Sequence, residues 1–403
     1  MSTPLERRLL PFIACQGAFS TLIGFAGVLV FAQRGWSASV LFTAVMLTSA
    51  MVCIVGAFAL GRRWSLQPAH LIRAGFLLPA LLLLGAQDRP LWLAGAIGAF
   101  IGLTWGARLW LELSLLADAE RDPYAAHTTV WTVFAGLGAT LTVTLFLSMT
   151  GERAAAVYLS YAVLALVAAV WVPRQLPATP AIHWDNPWTV VRQPGFARCL
   201  PLYGLESGLL GVGMVLGASG AVQALGVVSH YGWTASTATV FGGLALFALR
   251  RWRHAGNRLR WMAFAAAGMV AAHLLLGASV WHPALYVVHL LTLAAVQPFW
   301  AASEQVLNQR LLDLEGALAD RIVVREIVLW AFRMLALGGF WWVVQGWSPV
   351  RVLLLGAGLM AVAVLLEWAI GRAWLRQASR TGMPQVACRH QPLDSSVPPA
   401  ERL

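Results

Sequence analysis

Lysine is absent from this chain: all 28 basic residues among the 403 are arginine, and Asp and Glu together number only 17. Charged residues make up 11% of the sequence, against roughly 25% in an average soluble domain, while 59% of the residues are apolar. That balance excludes an ordinary soluble enzyme. Cysteine is scarce too. Cys15, Cys53, Cys199 and Cys388 fall in separate segments with no CxxC spacing, so neither a disulfide framework nor a zinc knuckle is expected. Motifs for covalent chemistry are missing: there is no HExxH, no P-loop, no G-x-S-x-G elbow and no GxGxxG after a strand. The chain is therefore expected not to be an enzyme, to need no cofactor and no metal, and not to be driven by its own ATP hydrolysis.

What is present is apolar sequence in long runs. A spanning helix takes about 20 residues, and twelve apolar stretches can be drawn, at 9–33, 38–60, 69–86, 91–115, 127–149 and 155–173, then at 200–224, 232–249, 261–280, 285–309, 323–345 and 350–373. The seventh-to-eighth crossing is the least distinct, because Gly and Ser interrupt it. The expected organisation is an amino-terminal six-helix bundle over 1–173, a linker over 174–199, a second six-helix bundle over 200–377 and a disordered tail over 378–403. The linker is rich in proline, and its 186–197 stretch, with Trp188, Val190, Val191 and Phe196, has the composition of a short amphipathic piece lying on a membrane surface. Nothing of typical domain size remains outside the membrane.

Arginine placement gives an orientation, because short loops rich in Lys or Arg stay in the cytoplasm. With the amino terminus inside, the outer loops hold only Arg34, Arg89, Arg153 and Arg351, three more arginines lie within spans, and all the others face inward. Both termini are thus expected in the cytoplasm, with the protein multi-pass in the cell inner membrane. The basic excess is accounted for by the membrane, with lipid rather than nucleic acid as its neighbour, and a monomer is expected. A faint internal repeat sets WGARLWLELSLLAD (105–118) over WAASEQVLNQRLLD (300–313), each running from a long span into a loop with acidic and arginine residues.

This layout of six spans, a linker and six spans resembles the major facilitator superfamily (MFS) of transporters over about residues 7–377, and DRIVVREIVLWAFRMLALGGF (320–340) with the WGAR of the fourth span resembles a poorly characterised bacterial branch of it. Two departures stand out. The loop after the second span reads GRRWSLQPAH (61–70) and lacks the acid usual in the superfamily, and FAGLGAT (134–140) lacks the proline of drug/proton antiporters. The resemblance implies two bundles around a central cavity lined by spans one, four, seven and ten, an all-α polytopic fold, and secondary transport of a small solute by alternating access with proton coupling.

Ionisable side chains in a bilayer core cost a few kcal/mol each on insertion scales and so need a partner or a task. Those predicted within spans are Arg108 and Glu112, Glu206, Glu304, and Arg325, Glu326 and Arg333. Arg108 and Glu112 are four apart and share a helix face, as do Glu326 and Arg333, seven apart. Three roles are open: a salt-bridge network closing the cytoplasmic side, solute binding, and proton coupling, for which Glu304 and then Glu206 are preferred. Gln16, Trp105, Gln297 and Trp300 sit nearer the middle of the spans that the resemblance places on the cavity, and amides beside aromatics suit an organic solute. An alternative is copper or metal-chelate (siderophore) uptake, since Met269 and His273 are four apart and His289 follows in the next span. Another is a transporter-fold membrane assembly factor that moves nothing.

Overall fold

The computed structural model describes residues 4–380, apart from 86–88, 117, 152, 178, 207–208, 250–257 and 313. The described residues form α-helices joined by short turns: α1 (Pro4–Trp64), α2 (Pro68–Leu84), α3 (Pro90–Leu115), α4 (Asp118–Thr150) and α5 (Ala154–Trp171), a 3₁₀ turn at Val172–Arg174, then α6 (Pro187–Val191), α7 (Pro194–Glu206), α8 (Leu210–Leu225), α9 (Val228–Leu249), α10 (Arg258–Ala278), α11 (Ala284–Leu311), α12 (Leu318–Val344) and α13 (Pro349–Arg380). Proline occupies the first position of α2, α3, α6, α7 and α13, where its missing N–H would have no helical partner and its fixed φ favours the helix.

Two predicted spans are merged in α1, which is broken at Gly35, a residue with φ of 71° and ψ of −160°. Only glycine takes that region readily. The counterpart in the second half is Gly226, also at φ 71°, which separates α8 from α9. The crossing least distinct in the sequence thus ends in a real turn, which like the first uses a glycine at positive φ, with ψ of −42° in place of −160°. Gly151 and Gly346, both at positive φ, repeat the correspondence before α5 and α13. Counting α1 as two crossings, α7 with α8 as one, and the shorter α2 and more polar α9 as one each, the chain crosses an apolar layer twelve times. The fold is all-α and polytopic.

Two positions differ from expectation. The helix that begins the second half starts at Pro194, inside the stretch predicted as linker to 199, because the proline supplies its first turn. Helix α13 continues to Arg380, past the predicted start of the tail, whose remainder lies outside the described residues. Directions alternate, so the start of α1, the end of α13 and the 172–193 connection lie on one side of the layer, the linker side, and the Gly35 and Gly226 turns on the far side.

Each half packs by close approach of small residues, as expected where lipid tails remove the hydrophobic drive between helices. In the first half α3 lies on α1, and a Cβ on Gly102 would come 2.2 Å from the carbonyl oxygen of Ala50. In the second half a Cβ on Gly242 of α9 would come 2.2 Å from that of Ala294 in α11. These are the second and fourth crossings of each half. A ring cluster of Phe19, Phe76, Phe100 and Tyr161 fills the first bundle, with Phe19 and Phe100 centroids 4.4 Å apart. Large apolar side chains on the outside, including Leu81, Val163, Leu244, Leu335 and Trp342, are exposed, the pattern of a lipid-facing surface. The halves meet where α1 packs on α8 and α12, and α4 on α9 and α11.

Candidate functional site

Two features lie between the halves. On the linker side is a buried polar network. Gln16 of α1, 1% exposed, donates from Nε2 to Thr104 Oγ1 at 3.1 Å, and its Oε1 accepts from Arg108 Nη1 at 3.1 Å. Arg108 Nε donates to Glu112 Oε1 at 2.6 Å, one helical turn along α3, and the guanidinium lies 5.0 Å from the ring centre of Trp105. The other oxygen of Glu112 faces the second half, accepting from Gln305 Nε2 at 3.1 Å and Gln309 Nε2 at 3.0 Å, both on α11. One carboxylate therefore holds three nitrogen donors and ties the bundles together. The phenol of Tyr124, ahead of the spanning part of α4, bonds the same carboxylate, and burial followed by the negative charge of Glu112 raises its pKa well above the ordinary value.

The other candidates are distributed around this network. Trp300 donates its indole N–H to Glu304 Oε1 at 2.7 Å, again one turn along a helix. Trp300 is buried against α10, while Glu304 is half-buried and Gln297 exposed. Arg325 pairs with its chain neighbour Glu326 and lies 6.0 Å from the ring centre of Tyr203. Arg333 is half-buried further along α12. The side chain of Glu206 lies outside the described residues. The two stretches aligned as a repeat, 105–118 and 300–313, end α3 and α11 on the linker side, and there they touch through Glu112, Gln305 and Gln309.

Toward the far side lies a cavity of about 190 Å³. Its wall comes from both halves: Gly24, Gly27, Ser39, Phe42 and Thr43 of α1, Gly213, Met214 and Gly217 of α8, Tyr231 of α9, and Tyr286 and His289 of α11 are among its lining residues. No Asp, Glu or Arg lines it among the described residues. Of the candidates named from the sequence, only His289, named for the copper alternative, lines it; the others were chosen for charge, amides and indole rings, whereas this space is walled in good part by glycines and phenyl or phenol rings. The legible signals were Gly24 with Gly27 and Gly213 with Gly217, at helical spacing on the first and seventh crossings, and Tyr286 with His289 three apart on the tenth.

The histidines of the copper alternative divide. His289 Nδ1 bonds the Ala272 carbonyl at 2.7 Å and the residue lines the cavity, whereas neither ring nitrogen of buried His273 meets a hydrogen-bond partner. Among the described residues there is no group of three or more His, Cys, Asp or Glu suited to a metal ion.

On the linker side the connection itself straps the two halves. Ile182 N–H donates to the Leu66 carbonyl, in the turn between α1 and α2, at 2.7 Å. Three residues on, the carboxylate of Asp320 at the start of α12 accepts the backbone N–H groups of Asp185 at 3.1 Å and Asn186 at 2.9 Å. Gln193 and Glu315 exchange two more bonds, and Val190 and Phe196 sink into a cluster with Leu202, Leu311 and Val324.

With the twelve crossings, the strap and the cavity in view, comparison with solved structures gives a consistent answer. A nucleoside transporter, NupG, superposes with a TM-score of 0.58 over 91% of this chain and 99% of its own, at 14% identity. A bacterial homologue of the iron transporter ferroportin in its outward-facing state matches with a TM-score of 0.59 over 93% and 100%, also at 14% identity. The proton:xylose symporter XylE, described as a major facilitator superfamily protein, matches at 0.53 over 91% and 95% with 15% identity. The chain has the major facilitator fold. No family model and no curated protein matches the sequence itself, so the likeness is one of architecture.

Proposed function

We propose that this protein is a secondary transporter that moves a small solute across the inner membrane by alternating access. The observation that carries the reading is the presence, between the same two halves, of a solute-sized cavity toward one side and a separate polar clasp toward the other. A channel needs no such clasp. A carrier must close one side while the other admits solute, and Glu112 with Gln305 and Gln309 is a closure made from few, breakable bonds on facing helices. The solved neighbours at this fold include a nucleoside transporter, a homologue of an iron transporter, an organic anion transporter and a proton:xylose symporter, which supports transport without choosing a cargo.

The linker side is the cytoplasmic side in this proposal, with both termini there, because it collects the arginines of the even-numbered loops. The clasp is then the inner gate and the cavity the part of the route nearer the outside. Proton coupling through Glu304 extends the proposal: Glu304 stands half-buried on α11, next to Gln305 in the chain and one turn from Asn308, where protonation follows the gate's movement. Uptake of a mixed metabolite pool into proteoliposomes, quantified by mass spectrometry, tests the reading. Time-dependent, saturable entry of some solute is the expected result; equal content in protein-free vesicles would leave a membrane assembly factor of transporter fold instead.

A further inference from the structure

We infer that the cavity is a binding site for an uncharged, largely apolar ring compound carrying at least one N–H or O–H group. The inference rests on the transport reading above and adds the class of solute. Size is the first argument: about 190 Å³ is below the roughly 300–1,000 Å³ of pockets that enclose drug-sized ligands, so the cargo is a small metabolite. Charge is the second. No carboxylate or guanidinium lines the space among the described residues, and an ion placed there would lose its hydration without a counter-charge. Shape is the third, since Phe42, Tyr231 and Tyr286 present rings, and rings prefer ring edges and faces.

Beside the hydroxyls of Thr43, Tyr231 and Tyr286, two polar groups, one from each half, are placed to read the solute. Ser39, 3% exposed, has a side-chain oxygen with no hydrogen-bond partner in the described structure, although it lines the cavity. A buried hydroxyl left so is costly and is satisfied by whatever enters. His289 is oriented by Ala272: that carbonyl can only accept, so Nδ1 carries the proton. In the neutral imidazole Nε2 is then an acceptor open to a donor on the solute. Because Ser39 stands on α1 and His289 on α11, a solute bonded to both bridges the halves, as cargo must if its presence is to be sensed by their relative movement.

Gly217 supplies the test. Gly217 lines the cavity and a Cβ there meets nothing within 4 Å, so Gly217→Ile adds bulk to the wall at a point where its first carbon has room, and Gly338→Ile, whose Cβ is equally unobstructed on α12, controls for adding isoleucine to a helix. Half-saturating concentrations for thermal stabilisation of the purified full-length protein are measured with matched probes: nicotinamide against nicotinate, benzamide against benzoate, and benzyl alcohol against benzylamine. The uncharged member of each pair should stabilise and the charged member should not. Gly217→Ile should weaken binding at least tenfold with Gly338→Ile unchanged, and Ser39→Ala and His289→Phe should each weaken it about three- to tenfold, the loss of one net hydrogen bond. Stabilisation by the charged members, indifference to Gly217→Ile, or no binding by any probe overturns the assignment. Uptake assays with the same probes separate the two proposals. Binding without entry sinks transport and keeps the site, whereas entry of charged solutes unaffected by Gly217→Ile sinks the site and keeps transport.

Discussion

Removing the charge of Glu112 should cost far more than removing the Arg108–Glu112 pair. The carboxylate belongs to a residue 2% exposed and accepts Arg108 Nε at 2.6 Å, Gln305 Nε2 at 3.1 Å and Gln309 Nε2 at 3.0 Å. In Glu112→Gln the side chain keeps its shape, but its new NH₂ must face one of these donors. Arg108, itself 8% exposed, then retains only Gln16 and the face of Trp105. Breaking one member of a buried ion pair typically costs about 3–5 kcal/mol because the other charge is stranded, while replacing the pair by apolar groups of similar volume is often near neutral.

In Arg108→Met/Glu112→Leu no charge is left behind. The remaining losses are the amide bonds to Gln305 and Gln309, at about 0.5–1.5 kcal/mol net each, so the double variant should lose roughly 1–3 kcal/mol. The double-mutant cycle, measured by equilibrium denaturation of the detergent-solubilised full chain and followed by tryptophan fluorescence, should therefore give a coupling of more than about 2 kcal/mol. Losses that add within about 0.5 kcal/mol would refute the argument, since additivity is the behaviour of side chains that do not interact.

Four further outcomes are expected. Gly102→Ala should destabilise by about 1–3 kcal/mol or prevent folding, because its Cβ would meet the Ala50 backbone at 2.2 Å, whereas Gly338→Ala, with nothing within 4 Å, should be neutral or stabilising; equal thermal midpoints for the two would contradict the packing. Asp320→Ala removes the acceptor of two backbone N–H groups and should free the 182–193 strap, read as faster proteolysis between Pro187 and Pro194, and an unchanged digestion pattern would show that the strap is held otherwise. Glu304→Gln should leave solute exchange intact and abolish accumulation driven by an imposed pH gradient; accumulation equal to the parent's would remove Glu304 from coupling. Compartment reporters fused after Gln377 and after Arg153 should report opposite sides of the membrane, and matching signals would end the twelve-crossing topology.

The architecture was legible in the sequence because a bilayer permits few answers. Every buried backbone group must be satisfied within a helix, so apolar length alone sets the number of crossings, and arginine placement proposes a direction. Boundaries were less legible for local reasons. Pro194 could be read as a linker proline or as the first residue of a helix, and only packing against α12 and α13 decides between them. Gly35 and Gly226 looked like unrelated breaks in apolar runs. Both take a φ of 71° at corresponding places in the two halves, but with ψ of −160° at Gly35 and −42° at Gly226, so the place of the turn recurs while its conformation does not.

The candidate site divides along the same physical line. Charges and amides in an apolar run are visible one residue at a time, and Arg108 with Glu112 four residues on could be paired on paper through helical spacing. Their partners Gln305 and Gln309 stand nearly two hundred positions away, and only the meeting of α3 with α11 brings them to the same carboxylate. A cavity is harder still, because it is made of what is missing. Gly27 and Gly217 contribute space rather than a group, while Gly24 admits the Tyr231 hydroxyl and Gly213 the Met360 side chain, and a glycine in a membrane helix more often admits a neighbouring helix than a solute, as Gly102 and Gly242 do here. The two uses are told apart by what a Cβ would strike. Backbone lies 2.2 Å away at Gly102 and Gly242 and nothing lies within 4 Å at Gly217, so the first two hold each bundle rigid while the last leaves room between them. A fold built this way concentrates its strength inside the halves and its few breakable polar bonds across them, which is the distribution a rocking carrier requires.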